Sequence, residues 1–89
     1  MKYRSRNEII TTMLETARSG ATKTRMMYKA YVSYSQLTEY MKLLQDNGLI
    51  TYEKGTQVYR VTEKGMKFLH ASNEINELLE SKPKNYQYM

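Results

Sequence analysis

A mostly helical α+β fold follows from three features of this sequence. Two capping-box patterns open amphipathic helices, two short alternating segments flank a glycine-containing turn, and a last helical stretch begins where the second segment stops. In chain order they give three helices, a two-stranded hairpin and a fourth helix. The hairpin is the most informative piece. Gly48 takes the left-handed conformation that ends a helix without a Cβ penalty, so Asp46-Asn47-Gly48 reads as a stop signal. Ile50 and Tyr52 then alternate with polar neighbours, and Tyr59 and Val61 do so again beyond the turn at Gly55.

The first helix opens at Ser5, with Glu8 completing its capping box, and runs to about Ala17. Ile9, Ile10, Met13, Leu14 and Ala17 fall on one stripe, and Ser19-Gly20 ends it. Thr22 caps a short second helix with Met26, Met27 and Ala30 inward. Ser33 with Gln36 is the second capping box and opens a longer helix reaching Asp46 or Asn47. At ~100° per residue, Leu37, Tyr40, Met41, Leu43 and Leu44 share one side, with Ser35, Thr38, Glu39, Lys42 and Asp46 opposite.

Thr62 caps the last helix, which is expected to continue to Lys82, where Pro83 stops it. A helix of that length spans ~30 Å, more than a small three-helix core needs, so its far half requires another partner. Phe68, Ser72, Ile75 and Leu79 follow the spacing of a coiled-coil seam, with Leu78 beside it. The alternative, that Ile75 and Leu79 fold back on their own domain, stays open. The expected organisation is a domain of helices and hairpin over residues 1–70, a dimerisation helix over 62–82 and a flexible tail over 83–89.

A short helix, a tight turn and a longer helix with a polar outer face form a helix-turn-helix. With a hairpin and a further helix behind it, the layout is that of a winged helix, a fold used mostly to hold double-stranded DNA.

Composition agrees. At 89 residues the chain is one domain near the lower end of what buries a self-sufficient core. No apolar run approaches the ~20 residues of a membrane span, and the start lacks the apolar stretch of a signal peptide, so a cytoplasmic, nucleoid-associated location is expected. Cysteine is absent and His70 is the lone histidine, so no metal site, disulfide or cofactor is expected, and no small-molecule ligand is evident. Without a nucleophile–base pairing or a Gly-rich phosphate loop, the sequence does not read as an enzyme. The formal charge of +5 resides in residues 1–32, where Lys2, Arg4, Arg6, Arg18, Lys23, Arg25 and Lys29 face only Glu8 and Glu15. Such a distribution suits a polyanion, although an ordinary solvated surface carries charge too.

Candidate DNA contacts follow from that layout. Lys23, Thr24 and Arg25 open the second helix, where it would cross the phosphate backbone, and Arg4 and Arg6 would reach out as a flexible arm. Tyr34, Ser35, Gln36, Thr38 and Lys42 are the outward or N-terminal positions of the third helix, suited to the major groove. Gln36 suits adenine and Glu39 cytosine, unless Gln36 is held in its capping box and Glu39 pairs with Lys42. Lys54, Thr56 and Gln57 form a wing tip for sugar and phosphate. The third helix carries little net charge, so phosphate contacts supply most of the affinity and sequence discrimination is modest. Of the nine tyrosines, Tyr40, Tyr52 and Tyr59 are expected to be buried or half-buried rather than to form a stacking surface. The reading is a homodimeric binder of double-stranded DNA, a transcriptional regulator or a chromatin-associated architectural protein. Its rival is a winged-helix module for protein–protein docking.

Several segments carry a family resemblance. Gly20-Ala21-Thr22-Lys23-Thr24-Arg25-Met26-Met27-Tyr28, Tyr34-Ser35-Gln36-Leu37, Tyr40-Met41 and Gly48-Leu49-Ile50 resemble the small archaeal winged-helix proteins of the predicted transcriptional-regulator type. Thr62-Glu63-Lys64-Gly65 with Phe68-Leu69 resembles the matching element of many winged helices. The match covers residues 5–70, about three quarters of the chain. The resemblance implies a DNA-binding winged helix. Because some members are abundant in chromatin and dimerise through an antiparallel coiled coil, it also implies that role for residues 62–82. Here the last helix is shorter, and Ser72, Asn73 and Asn76 lie close to the seam.

Overall fold

The structure, a computed structural model, describes residues 5–80, with α1 over Arg6–Ala17, α2 over Lys23–Ala30, α3 over Tyr34–Asp46, β1 over Ile50–Glu53, β2 over Val58–Val61 and α4 over Glu63–Glu80. That order is the winged helix. Arg4, the helix end expected at Lys82, the stop at Pro83 and the tail over 83–89 lie outside the described residues.

Both capping boxes form, and each ties down both ends of a first turn. Ser5 Oγ accepts from the Glu8 amide at 3.1 Å while Glu8 Oε1 accepts from the Ser5 amide at 3.2 Å. Ser33 Oγ accepts from the Gln36 amide at 3.2 Å, and Gln36 Oε1 accepts from the Ser33 amide at 3.0 Å. Thr22 Oγ1 caps α2 through the Arg25 amide at 3.2 Å.

The helical stripes meet in one core. Met13, Leu14 and Ala17 of α1, Met26 and Ala30 of α2, Leu37, Met41 and Leu44 of α3, and Leu69 of α4 are buried together with Ala21, Leu49 and Ile50. Removing each large apolar side chain from water is worth ~1.5–3 kcal/mol, which is what holds these short helices in place. No polar or charged residue among those described is buried. Nor is any described helix long and apolar enough to cross a membrane.

The hairpin pairs Ile50 with Val61, Thr51 with Arg60, Tyr52 with Tyr59 and Glu53 with Val58. The turn between them closes with the Gln57 amide donating to the Glu53 carbonyl at 2.7 Å, and Gln57, not Gly55, takes the left-handed backbone, at φ 61°. A further pairing was not legible in the sequence. Ala21, just before α2, exchanges two backbone bonds with Tyr59, at 3.0 and 2.8 Å, so β2 is flanked on both sides. A bridge of one residue leaves no periodicity to read.

Two corrections belong to the hairpin and the last helix. Tyr52, expected to be buried or half-buried, is 43% exposed. Only Ile50 of β1 is buried, and the Tyr52 ring rests instead on that of half-buried Tyr59 at 5.0 Å between centroids. Phe68, placed on the outer seam by spacing, is half-buried and packs against the chain's own core. Ser72 is half-buried too, its hydroxyl 3.4 Å from that of Thr11 on α1. Beyond them, Ile75, Leu78 and Leu79 are 56%, 73% and 63% exposed.

Thr62 joins the last two helices. Its hydroxyl donates to the Gly48 carbonyl at 2.6 Å and accepts from the Gly65 amide at 3.0 Å, while its own amide donates to the Leu49 carbonyl at 2.9 Å. Gly65 is required there by space: a Cβ would collide with the Leu49 carbonyl oxygen and stand 2.5 Å from Val61 Cγ2.

Candidate nucleic-acid interface

The second helix presents its cations because Met26 and Ala30 fix its inner face. Lys23, Thr24, Arg25, Tyr28 and Lys29 are left outward and exposed. Arg25, Tyr28 and Lys29 border, with Thr22 and Thr24, a shallow open depression of about 480 Å³. On their other side, Arg25 and Lys29 meet Thr11, Thr12, Glu15, Thr16 and Ser19 across a hollow of about 400 Å³. Lys29 and Tyr28 were missed as candidates. Their signal lay in the sequence, since they fall three and four residues after Arg25, on its side of a helix.

The turn into α3 is unusual chemically. Tyr31 caps α2 in the left-handed conformation at φ 56°, where glycine or asparagine is the ordinary choice, and its amide donates to the Tyr28 carbonyl at 3.3 Å. That backbone costs a tyrosine roughly 1–2 kcal/mol. Tyr31 is 83% exposed, and Tyr28 and Tyr34 are 69% and 68% exposed.

On α3, Tyr34, Ser35, Gln36, Thr38 and Lys42 are all exposed, as the helical projection requires. Their free hydrogen-bonding capacity differs. The Gln36 carbonyl oxygen is held by the Ser33 amide, leaving its NH2 group outward, and Thr38 Oγ1 donates to the Tyr34 carbonyl at 3.0 Å. Lys42 pairs with Asp46 at 3.0 Å and not with Glu39. An exposed pair of this kind contributes only ~0.3–0.5 kcal/mol, so Lys42 can exchange it for a phosphate at little cost.

The wing is held by its own polar groups. Glu53 accepts from Arg60 Nε at 2.8 Å and from Thr56 Oγ1 at 2.6 Å, which commits the Thr56 hydroxyl. The Arg60 hydrogen bond, then that of Thr56, holds the Glu53 carboxyl below its usual range, and the same carboxylate raises the already basic Arg60. Lys54 and Gln57 remain exposed at the tip. Arg6 is also exposed, but it is the first residue of α1, so it does not belong to a flexible arm.

The exposed cations Arg18, Lys23, Arg25 and Lys29 thus lie in a stretch from Thr16 to Thr38 that has no acidic residue. Only Arg18 among them is paired with a carboxylate, that of Glu15 at 3.4 Å.

A family model described as winged helix-turn-helix matches residues 3–80. An uncharacterised protein of Methanocaldococcus jannaschii is 33% identical over 81 residues, covering 90% of this chain and 81% of that protein.

Proposed function

Because the chain belongs to the winged helix-turn-helix family, we propose that it binds double-stranded DNA as a homodimer, as a transcriptional regulator or a chromatin-associated architectural protein. The family itself points to DNA as the partner. The observation that carries the proposal is the acid-free run from Thr16 to Thr38, with Lys23, Thr24 and Arg25 exposed at the start of α2. Their charge neutralises phosphates and releases counterions, which supplies affinity on any sequence. Tyr34, Ser35, Thr38 and Lys42 meet the major groove, with the outward NH2 of Gln36 beside them. Lys54 and Gln57 touch the backbone from the wing, and Thr56 shapes that tip by way of Glu53. Residues 1–70 thus hold the duplex, and the far part of the 62–82 helix dimerises through Ile75, Leu78 and Leu79, whose exposure supports that role.

Duplex affinity measured against salt tests the proposal. A steep loss between ~50 and ~200 mM salt is expected, because several phosphate contacts are released together. Replacing Lys23 and Arg25 by alanine makes the log–log slope shallower by about 1.8 per protomer on every sequence. Changing Ser35 or Thr38 instead alters preference among sequences. Absent or salt-independent binding would favour the rival, a protein-docking module, for which the Lys42–Asp46 pair on a weakly charged α3 speaks. Nuclease-insensitive capture of a partner would then be the deciding result.

A further inference from the structure

Three tyrosines within seven residues, Tyr28, Tyr31 and Tyr34, stand on the α2–α3 turn with exposures of 69%, 83% and 68%. Tyr40 and Tyr59, by contrast, are half-buried. Two further facts bear on what they meet. Tyr28 lines one surface depression with Arg25 and Lys29, and no acidic residue lies between Glu15 and Glu39 in the sequence. Moreover, Tyr31 is kept at a left-handed backbone position that glycine would occupy without strain.

We propose that Tyr28, Tyr31 and Tyr34, with Arg25 and Lys29, form a stacking platform for the unpaired bases of a single-stranded nucleic acid. Exposed rings interleaved with cations suit such a strand in particular: the cations neutralise its phosphates while each ring covers the face of a base. A duplex has its base faces already stacked, and an acidic protein surface offers charge without flat rings to cover. The strand's sugar is left open, since every base, in DNA or RNA, has the same kind of face. The proposal does not require duplex binding, although Arg25 and Tyr34 serve both readings.

The test uses the full chain and four fluorescently labelled probes: a 20-nucleotide deoxythymidine strand, its uridine counterpart, an abasic strand of equal length and charge, and a 20-base-pair duplex. The thymidine or uridine strand is expected to bind at least roughly tenfold more tightly than the abasic one, with the two strands reporting whether DNA or RNA is preferred. Tyr28→Ala lowers strand affinity about tenfold and duplex affinity less, Tyr28→Phe restores it, and Tyr28→Ala with Tyr34→Ala removes the difference between thymidine and abasic strands. Circular dichroism confirms that each variant is folded. Equal affinity for abasic and base-bearing strands, or a folded double variant that binds thymidine as before, overturns the proposal. Duplex binding without strand binding overturns it too, while leaving the proposed duplex function intact.

Discussion

Gly65 and Gln57 occupy opposite kinds of backbone constraint. At Gly65 the limit is space, because a methyl group would meet the Leu49 carbonyl and Val61 Cγ2. Alanine's usual helix advantage of ~1 kcal/mol is therefore outweighed, and Gly65→Ala is expected to cost about 1–3 kcal/mol net, lowering the melting temperature by several degrees. At Gln57 the limit is conformation, and Gln57→Gly should raise stability by about 1 kcal/mol, read as a higher urea midpoint with an unchanged m-value. The sequence showed neither site. Thr62-Glu63-Lys64-Gly65 announced a helix start, but the approach of Leu49 is a tertiary fact, and Gly55 drew the turn assignment away from Gln57. Where chemistry was local, as with Ser5–Glu8 and Ser33–Gln36, the sequence foretold both bonds of each box.

Among the elements, the wing has the clearest electrostatic signature. Arg60 and Thr56 lower the folded-state pKa of Glu53 below its ordinary 4.5. The resulting stabilisation is present above that value and is lost as pH falls through the lower folded-state pKa. The difference in melting temperature between the native chain and Glu53→Gln should thus be largest near neutrality and vanish on strong acidification, in scans at a series of pH values. Thr62, which ties the end of α3 to the start of α4, gives a second expectation at this scale. Thr62→Ala should destabilise by about 1–2 kcal/mol in urea titration, since it removes both a cap and the bond to the Gly48 carbonyl. Helix faces were readable because periodicity encodes burial directly, whereas the exposure of Tyr52 and the packing of Phe68 on its own core are set by tertiary contacts that local spacing does not encode.

For the whole molecule, the proposed homodimer would rest on the outward apolar residues of α4. Sedimentation of a variant with Ile75→Glu and Leu79→Glu should give a monomer, while an unchanged mass would refute the proposed seam. Candidate contacts along α2 and α3, Tyr34 among them, were legible at outward helix positions, yet Tyr31, the cap between the two helices, lies on no helical face that would separate a buried tyrosine from an exposed one. Tyrosine is equally at home inside or outside, so only the packed structure tells them apart. The bridge between Ala21 and Tyr59 carries one more consequence. It closes a contact across a long sequence interval, joining the entry of α2 to the middle strand, so the wing cannot detach without also loosening the helix that carries Lys23 and Arg25. The two parts should open as one cooperative unit: in native-state hydrogen exchange, the amides of Ala21 and Tyr59 should share a single opening free energy.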